Sequence, residues 1–252
     1  MKKKRIIARV DVKNEYVIKG IHLEGLRKLG DPNDFARKYY ESGIDEIIFM
    51  DAVAAYYDRN SLSHIIERAC KDIFVPITVG GGIRTVDDIQ TALNSGADKV
   101  AINTQAVKDP TFITRSAEIF GSQCIVSSVE AKLISEKKWE VFIDNGREPT
   151  GLDVLSWVKK LEELGSGEIM LTSIDSEGTK KGFDLELNKA IGEVASIPVI
   201  ACGGAGKISH VKELMFNANI DAVAVASLLH YGLANIKDLK NELIEDHIKV
   251  RI

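Results

Sequence analysis

Short apolar runs recur along the chain, separated by stretches whose apolar positions follow helical spacing. Residues 6–12, 46–51, 75–79, 99–103, 124–130, 168–172, 199–201 and 221–226 read as eight buried strands. Helical patterns cover 32–42, 61–72, 86–94, a stretch opened by Asp109–Pro110, 152–164 and 236–244. Asp31–Pro32 supplies a capping acid followed by a proline at the first helical position. A polar loop carrying Lys19, Gly20, His22, Glu24, Gly25 and Arg27 follows the first strand, and a loop with Tyr56, Tyr57, Asp58, Arg59 and Asn60 follows the second. Residues 133–147 break the rhythm. Alternation over 139–143 and the Asp144–Asn145–Gly146 turn signal predict a β-hairpin inserted after strand five.

Strands that alternate with helices through mostly short loops predict an α/β fold: a (βα)8 TIM barrel, with 1–252 as a single barrel. An internal repeat supports closure. IIARVDVK at 6–13 resembles IVSSVEAK at 125–132, Pro76–Gly82 matches Pro198–Gly204, Glu46 matches Glu168, and Asp98–Val100–Ala101 echoes Asp221–Val223–Ala224, all at nearly one spacing. The chain reads as two half-barrels, about 1–122 and 123–252.

Active sites in such barrels lie at the C-terminal strand ends. Asp11 and Glu130 occupy equivalent late positions in strands one and five, so they face each other across the mouth. One can serve as acid and the other as base if their surroundings separate their proton affinities; the plainer alternative is pairing with Lys13 or Lys132. The strand at 75–79 runs into Gly80, Gly81 and Gly82 ahead of a helix, which suits either a tight turn or a phosphate cradle. The repeat makes it one of a pair. Gly81 and Gly82 with Asn103 and Thr104 form the first cradle, and Gly203 and Gly204 with Ala226 and Ser227 form the second, with Gly178 and Thr179 beside it. A charge-assisted backbone contact contributes about 1.5–3 kcal/mol, so several hold a phosphate without lysine. Two facing cradles suit an elongated phosphorylated small molecule. Arg5, Glu46, Lys99 and Glu168 stand at strand starts on the opposite face, where they form either a salt-bridge seal or a gate for a small molecule.

Composition narrows the field. A net charge of -4 argues against a nucleic-acid partner. Lys2, Lys3, Lys4 and Arg5 are not followed by a long apolar stretch, so neither a signal peptide nor a membrane span is expected. Cys70, Cys124 and Cys202 lack a CxxC spacing and read as reduced thiols in a cytoplasm. No histidine–acid spacing suggests a metal, and no cofactor is expected. His22 and His230 lie in loops and read as surface residues, and Tyr56 and Tyr57 either stack on a ligand or cover the mouth.

These residues resemble the HisF family, the cyclase subunit of imidazole glycerol phosphate synthase. The matching segments are Asp11–Val12–Lys13, Gly30–Asp31–Pro32, 78–84, 97–103, 121–124, 150–153, 171–173, 197–201 and 203–206. The resemblance implies a barrel docked on a HisH-like glutaminase, with ammonia entering through Arg5, Glu46, Lys99 and Glu168. It also implies two opposed aspartates acting on a bis-phosphorylated substrate, with Lys19 and the acid of the strand-six loop in the binding set. This chain departs at the active face. Glu130 replaces the second aspartate, Glu177 replaces the loop aspartate, and the loops after strands one and two differ. Retained cradles and floor with altered acids and rim resemble a HisF-like branch from surface-polysaccharide gene clusters. There the barrel works with a HisH-like glutaminase and an ATP-dependent amidotransferase that turns a sugar acetamido group into an acetamidino group. The alternatives are a histidine-pathway cyclase and a non-catalytic ammonia conduit.

Overall fold

The computed structural model describes residues 3–54 and 62–251. Tyr56, Tyr57, Asp58, Arg59, Asn60 and the expected helix start at Ser61 lie outside the described residues. The first strand, β1 (Arg5–Lys13), sets the barrel's inside and outside. Strand residues alternate between faces, so Ile6, Ala8 and Val10 join the large apolar cluster that includes residues of the surrounding helices. Ile7 joins a separate inner cluster with Ile48, Ala101, Val126, Met170, Ile200, Cys202, Ala222 and Ala224. Arg5, Arg9 and Asp11 share the inward phase of Ile7.

After β1 the chain forms β2 (Tyr16–Ile21), β3 (Glu24–Gly30), α1 (Pro32–Glu41), β4 (Glu46–Asp51), α2 (Ser63–Ala69), β5 (Ile77–Gly80), α3 (Val86–Asn94), β6 (Lys99–Ile102), α4 (Thr104–Lys108) and α5 (Thr111–Phe120). It continues through β7 (Ile125–Ser135), β8 (Lys138–Ile143), β9 (Glu148–Asp153), α6 (Val154–Glu163), β10 (Glu168–Ser173), α7 (Leu185–Val194), β11 (Val199–Cys202), α8 (Ile208–Asn217), β12 (Ala222–Val225), α9 (Ser227–His230) and α10 (Ile236–Glu245). Strands pair in the order β10, β11, β12, β1, β4, β5, β6, β7, and β7 pairs back onto β10. The barrel strands are parallel and the ring is closed, as expected of a (βα)8 barrel. Caps set helix starts: Asp31 accepts from the N–H groups of Asn33 and Asp34, and Thr85 with Asp88 makes a reciprocal capping box.

Three expectations change. The stretch after strand one is not a polar loop: β2 and β3 form an antiparallel hairpin on the end of β1. Its turn falls at His22 and Leu23, both with positive φ (52° and 64°), so the usual Asn-Gly or glycine signal is missing. The insertion after strand five has three strands: β7 extends to Ser135, pairs with β8, and β8 pairs with β9. The expected Asp144–Asn145–Gly146 turn joins β8 to β9, all three residues in the left-handed region. The following helix begins at Val154, not residue 152, because the Asp153 side chain caps it by accepting from Ser156 N–H.

Candidate active site

The floor is a closed ring of ions. Arg5 Nη1 donates to Glu46 Oε1 at 2.9 Å and Nη2 donates to Glu168 Oε1 at 2.5 Å. Lys99 Nζ donates to Glu46 Oε2 at 3.1 Å and to Glu168 Oε2 at 2.9 Å. Each carboxylate therefore touches both cations. Burial alone would raise the Glu46 carboxyl; Arg5 and then Lys99 overcome it and hold the group below its usual range. Above this ring lies the inner apolar layer, and above that the mouth.

Asp11 and Glu130 line one cavity at the C-terminal strand ends, with Gly81, Gly82, Asn103, Thr104, Arg84, Lys108 and Asp144 among its walls. The two carboxyls have unlike surroundings. Asp11 Oδ1 accepts from Arg9 Nε at 2.8 Å, and Oδ2 lies 3.8 Å from Lys19 Nζ. Burial would raise the Asp11 carboxyl, but Arg9 and Lys19 outweigh it and hold it below the usual carboxylate range. Glu130 Oε2 accepts from the Gly146 N–H at 2.8 Å in the β8–β9 turn. Burial pushes this carboxyl up to about 7; Arg9 and the Gly146 N–H oppose the rise, while Asp11 and Asp144 add to it.

The first cradle is braced by the β8–β9 hairpin. Asn103 Nδ2 donates to Phe142 O at 3.2 Å, and Thr104 Oγ1 donates to Asp144 Oδ1 at 3.1 Å. These side chains are committed to the hairpin, so backbone groups and the walls' cations remain for an anion. Gly81 has φ 92°, and an added Cβ would lie 2.3 Å from Asp51 O, so the wall of β4 already demands this glycine. The second cradle brings Gly203, Gly204, Ala226 and Ser227 together with Lys19, Glu177 and Gly178. Lys19 is buried and ion-paired with Glu177. Burial lowers the Lys19 ammonium's proton affinity, but Glu177 and Asp11 more than restore it. Thr179 does not join this group of wall residues; its hydroxyl donates to Ser176 O at 2.7 Å within its own loop.

Arg9 lines both cavities and was not singled out from the sequence. The signal was present: an arginine in a buried strand, two residues before an acid on the same face, requires a partner. The sequence marks Asp144 only as part of a hairpin turn and does not mark Lys108. His230 is not a surface residue: its ring stacks on Tyr39 and meets Phe35 edge-on, and Nδ1 lies 2.6 Å from the Tyr39 hydroxyl. Burial drops its pKa to about 4, so it is neutral at pH 7. His22 is exposed, with Nδ1 2.9 Å from Ile174 O. Among the described residues, no cluster of His, Cys, Asp and Glu is arranged to hold a metal, and no helix is long and apolar enough to cross a membrane.

Fold and site together define a (βα)8 barrel with its ionisable groups gathered at the strand C-termini over a charged floor. A family profile described as histidine biosynthesis protein matches residues 5–235. The chain is 58% identical over 204 residues to an imidazole glycerol phosphate synthase subunit HisF of Legionella pneumophila, covering 81% of this chain and 96% of that one. It is 45% identical over 249 residues to the subunit of the same name from Bacillus cereus (strain Q1), covering 99% of each. The chain belongs to the histidine biosynthesis protein family and, within it, to HisF.

Proposed function

We propose that this chain is the ammonia-accepting HisF-type subunit of a glutamine amidotransferase complex, and that its ammonia serves acetamido-to-acetamidino conversion on a sugar destined for a surface polysaccharide. A HisH-like glutaminase docks at the floor and releases ammonia against the ring of Arg5, Glu46, Lys99 and Glu168, which acts as the gate. The mouth takes a phosphorylated small molecule on the cradle of Gly81, Gly82, Asn103 and Thr104, and the second cradle of Gly203, Gly204, Ala226 and Ser227 takes a further anionic group. Lys19, Glu177 and Gly178 complete the binding set. An amide carbonyl accepts ammonia poorly because its oxygen is a poor leaving group. An ATP-dependent sugar amidotransferase that activates that oxygen is therefore the required third partner.

The observation that carries this reading is the inequivalence of the mouth carboxyls. Asp11 is enclosed by two cations, whereas Glu130 is buried beside a backbone N–H. A cyclase reaction that employs two opposed acids needs both to exchange protons, and an acid held between Arg9 and Lys19 is poorly suited to that. One observation favours a second reading, the histidine-pathway cyclase: both relatives, at 45% and 58% identity, are named imidazole glycerol phosphate synthase subunit HisF. The test is complementation. A histidine auxotroph lacking its cyclase subunit receives this chain with its cognate glutaminase. No growth without histidine is expected, together with glutamine-dependent amidine formation by the three-protein set. Robust growth would overturn the sugar reading.

A further inference from the structure

The inward residues of β1 climb the barrel in order: Arg5 in the floor, Ile7 in the apolar layer, Arg9 above it, Asp11 at the mouth. Arg9 is 4% exposed. Its Nη1 donates to Thr172 Oγ1 at 3.1 Å on β10, three strands around the ring from β1. The guanidinium therefore reaches past β12 and β11 across the lumen, while its Nε fixes Asp11. Lys19 on β2 approaches the other Asp11 oxygen, with Glu177 of the loop after β10 behind it.

The repeat exposes how one-sided this is. In the alignment of 6–13 with 125–132, Asp11 corresponds to Glu130, and Arg9 corresponds to Ser128. Ser128 lines the mouth cavity beneath Glu130 and brings no charge. On its own strand the cation nearest in sequence, Lys132, lies over the Phe142 ring instead, and from β8–β9 Glu130 meets the Gly146 N–H and the Asp144 carboxylate. Across the mouth it faces Arg9 and Asp11. His230 adds a neutral ring near Asp11. An equivalent pair of acids has thus been given one clamp.

We infer that Arg9 is a positioning residue that withholds Asp11 from proton transfer and leaves Glu130 as the acid–base member of the repeat-related pair. The inference rests on the reading that chemistry runs at the mouth.

The test follows individual carboxyls rather than turnover, so its failure is distinguishable from the growth result that tests the substrate. The full chain is labelled with 13C at Asp and Glu carboxyls and titrated by NMR. Glu130→Gln and Asp11→Asn assign the two mouth signals, and thermal unfolding checks that each variant is folded. In the wild type, one mouth carboxyl is expected to titrate near neutrality and vanish in Glu130→Gln, while Asp11 stays ionised into the acid range. Arg9→Met keeps the bulk, removes the charge and is expected to raise the Asp11 midpoint by about 1–3 pH units. Arg9→Lys is expected to restore most of that loss. An unmoved Asp11 midpoint in folded Arg9→Met, or an Asp11 that already titrates near neutrality in the wild type, would overturn the inference. Should Arg9→Met not fold, Thr172→Val decides: freeing the far end of the guanidinium must shift Asp11 upward by a smaller amount, and no shift refutes the clamp.

Discussion

Glu130 should make the protein less stable as pH rises. The residue is 6% exposed, and burial lifts its carboxyl to about 7 from an ordinary value of 4.5. Between those two values the folded chain binds a proton that the unfolded chain has released. Stability therefore falls as pH climbs through this window, is undiminished below 4.5, and reaches its full loss above 7. At about 1.4 kcal/mol per pH unit, the loss is about 3 kcal/mol.

Glu130→Gln isolates this quantity. The amide oxygen can still accept from the Gly146 N–H, and the side chain no longer titrates. Other buried ionisable groups contribute nearly equally to both proteins and cancel in the difference. Denaturant unfolding of wild type and Glu130→Gln at pH 4 and pH 8 gives that difference twice. The pH 4 value absorbs any loss of packing. The variant's relative stability should rise by about 3 kcal/mol between the two conditions. A difference that does not change with pH would show that Glu130 titrates normally in the folded protein, and the proton-exchange role assigned to it would fall with that result.

Two further outcomes are expected. Lys99→Ala leaves Glu46 and Glu168 joined only through Arg5; glutamine hydrolysis by the partner glutaminase should then continue while product per glutamine drops severalfold, and unchanged coupling would return the floor to a structural seal. Gly204→Ala should cost about 3 kcal/mol or more, because a Cβ there would lie 1.9 Å from Gly182 O at a φ of 104°, whereas Gly25→Ala, at φ 64° with open space around it, should cost about 1–2 kcal/mol; equal midpoints in urea would refute the contrast.

The barrel strands were legible because parallel strands buried on both faces leave nearly continuous apolar runs. What the sequence hid has specific causes. The helix Leu185–Val194 buries Asn188 and Gly192 beside Leu187 and Ile191, which dilutes its apolar period. Ile208–Asn217 starts at Lys207 without a side-chain cap, so no start signal marks it. The β2–β3 turn uses histidine and leucine in the left-handed region, where turn chemistry gives no warning. At the mouth, the repeat led to Asp11 and Glu130 because it reports matching positions. It could not lead to Arg9, whose counterpart is a serine, nor reveal that Thr104 and Asn103 spend their side chains on the inserted hairpin.

That asymmetry extends to the whole polar axis. The acids at its two ends come in repeat-related pairs, Glu46 with Glu168 and Asp11 with Glu130, yet the barrel-lining cations that meet them do not. Arg5, Arg9, Lys19 and Lys99 all belong to the first half of the chain. Arg5 and Lys99 reach Glu168, Arg9 reaches Thr172, and Lys19 reaches Glu177, so each carries a polar bond into the second half. Breaking one buried pair of this kind costs about 3–5 kcal/mol because a charge is left without its partner. A symmetric placement of cations would have let each half satisfy its own acids. Concentrating them on one side makes acids of the second half, Glu168 and Glu177, depend on the first half at the floor and at the mouth, and it leaves Glu130 as the repeat-related acid without a direct ion-pair partner among the described residues. The duplicated scaffold supplies two equivalent positions; the unequal distribution of cations makes one of them a fixed charge and the other a group able to exchange a proton near neutral pH.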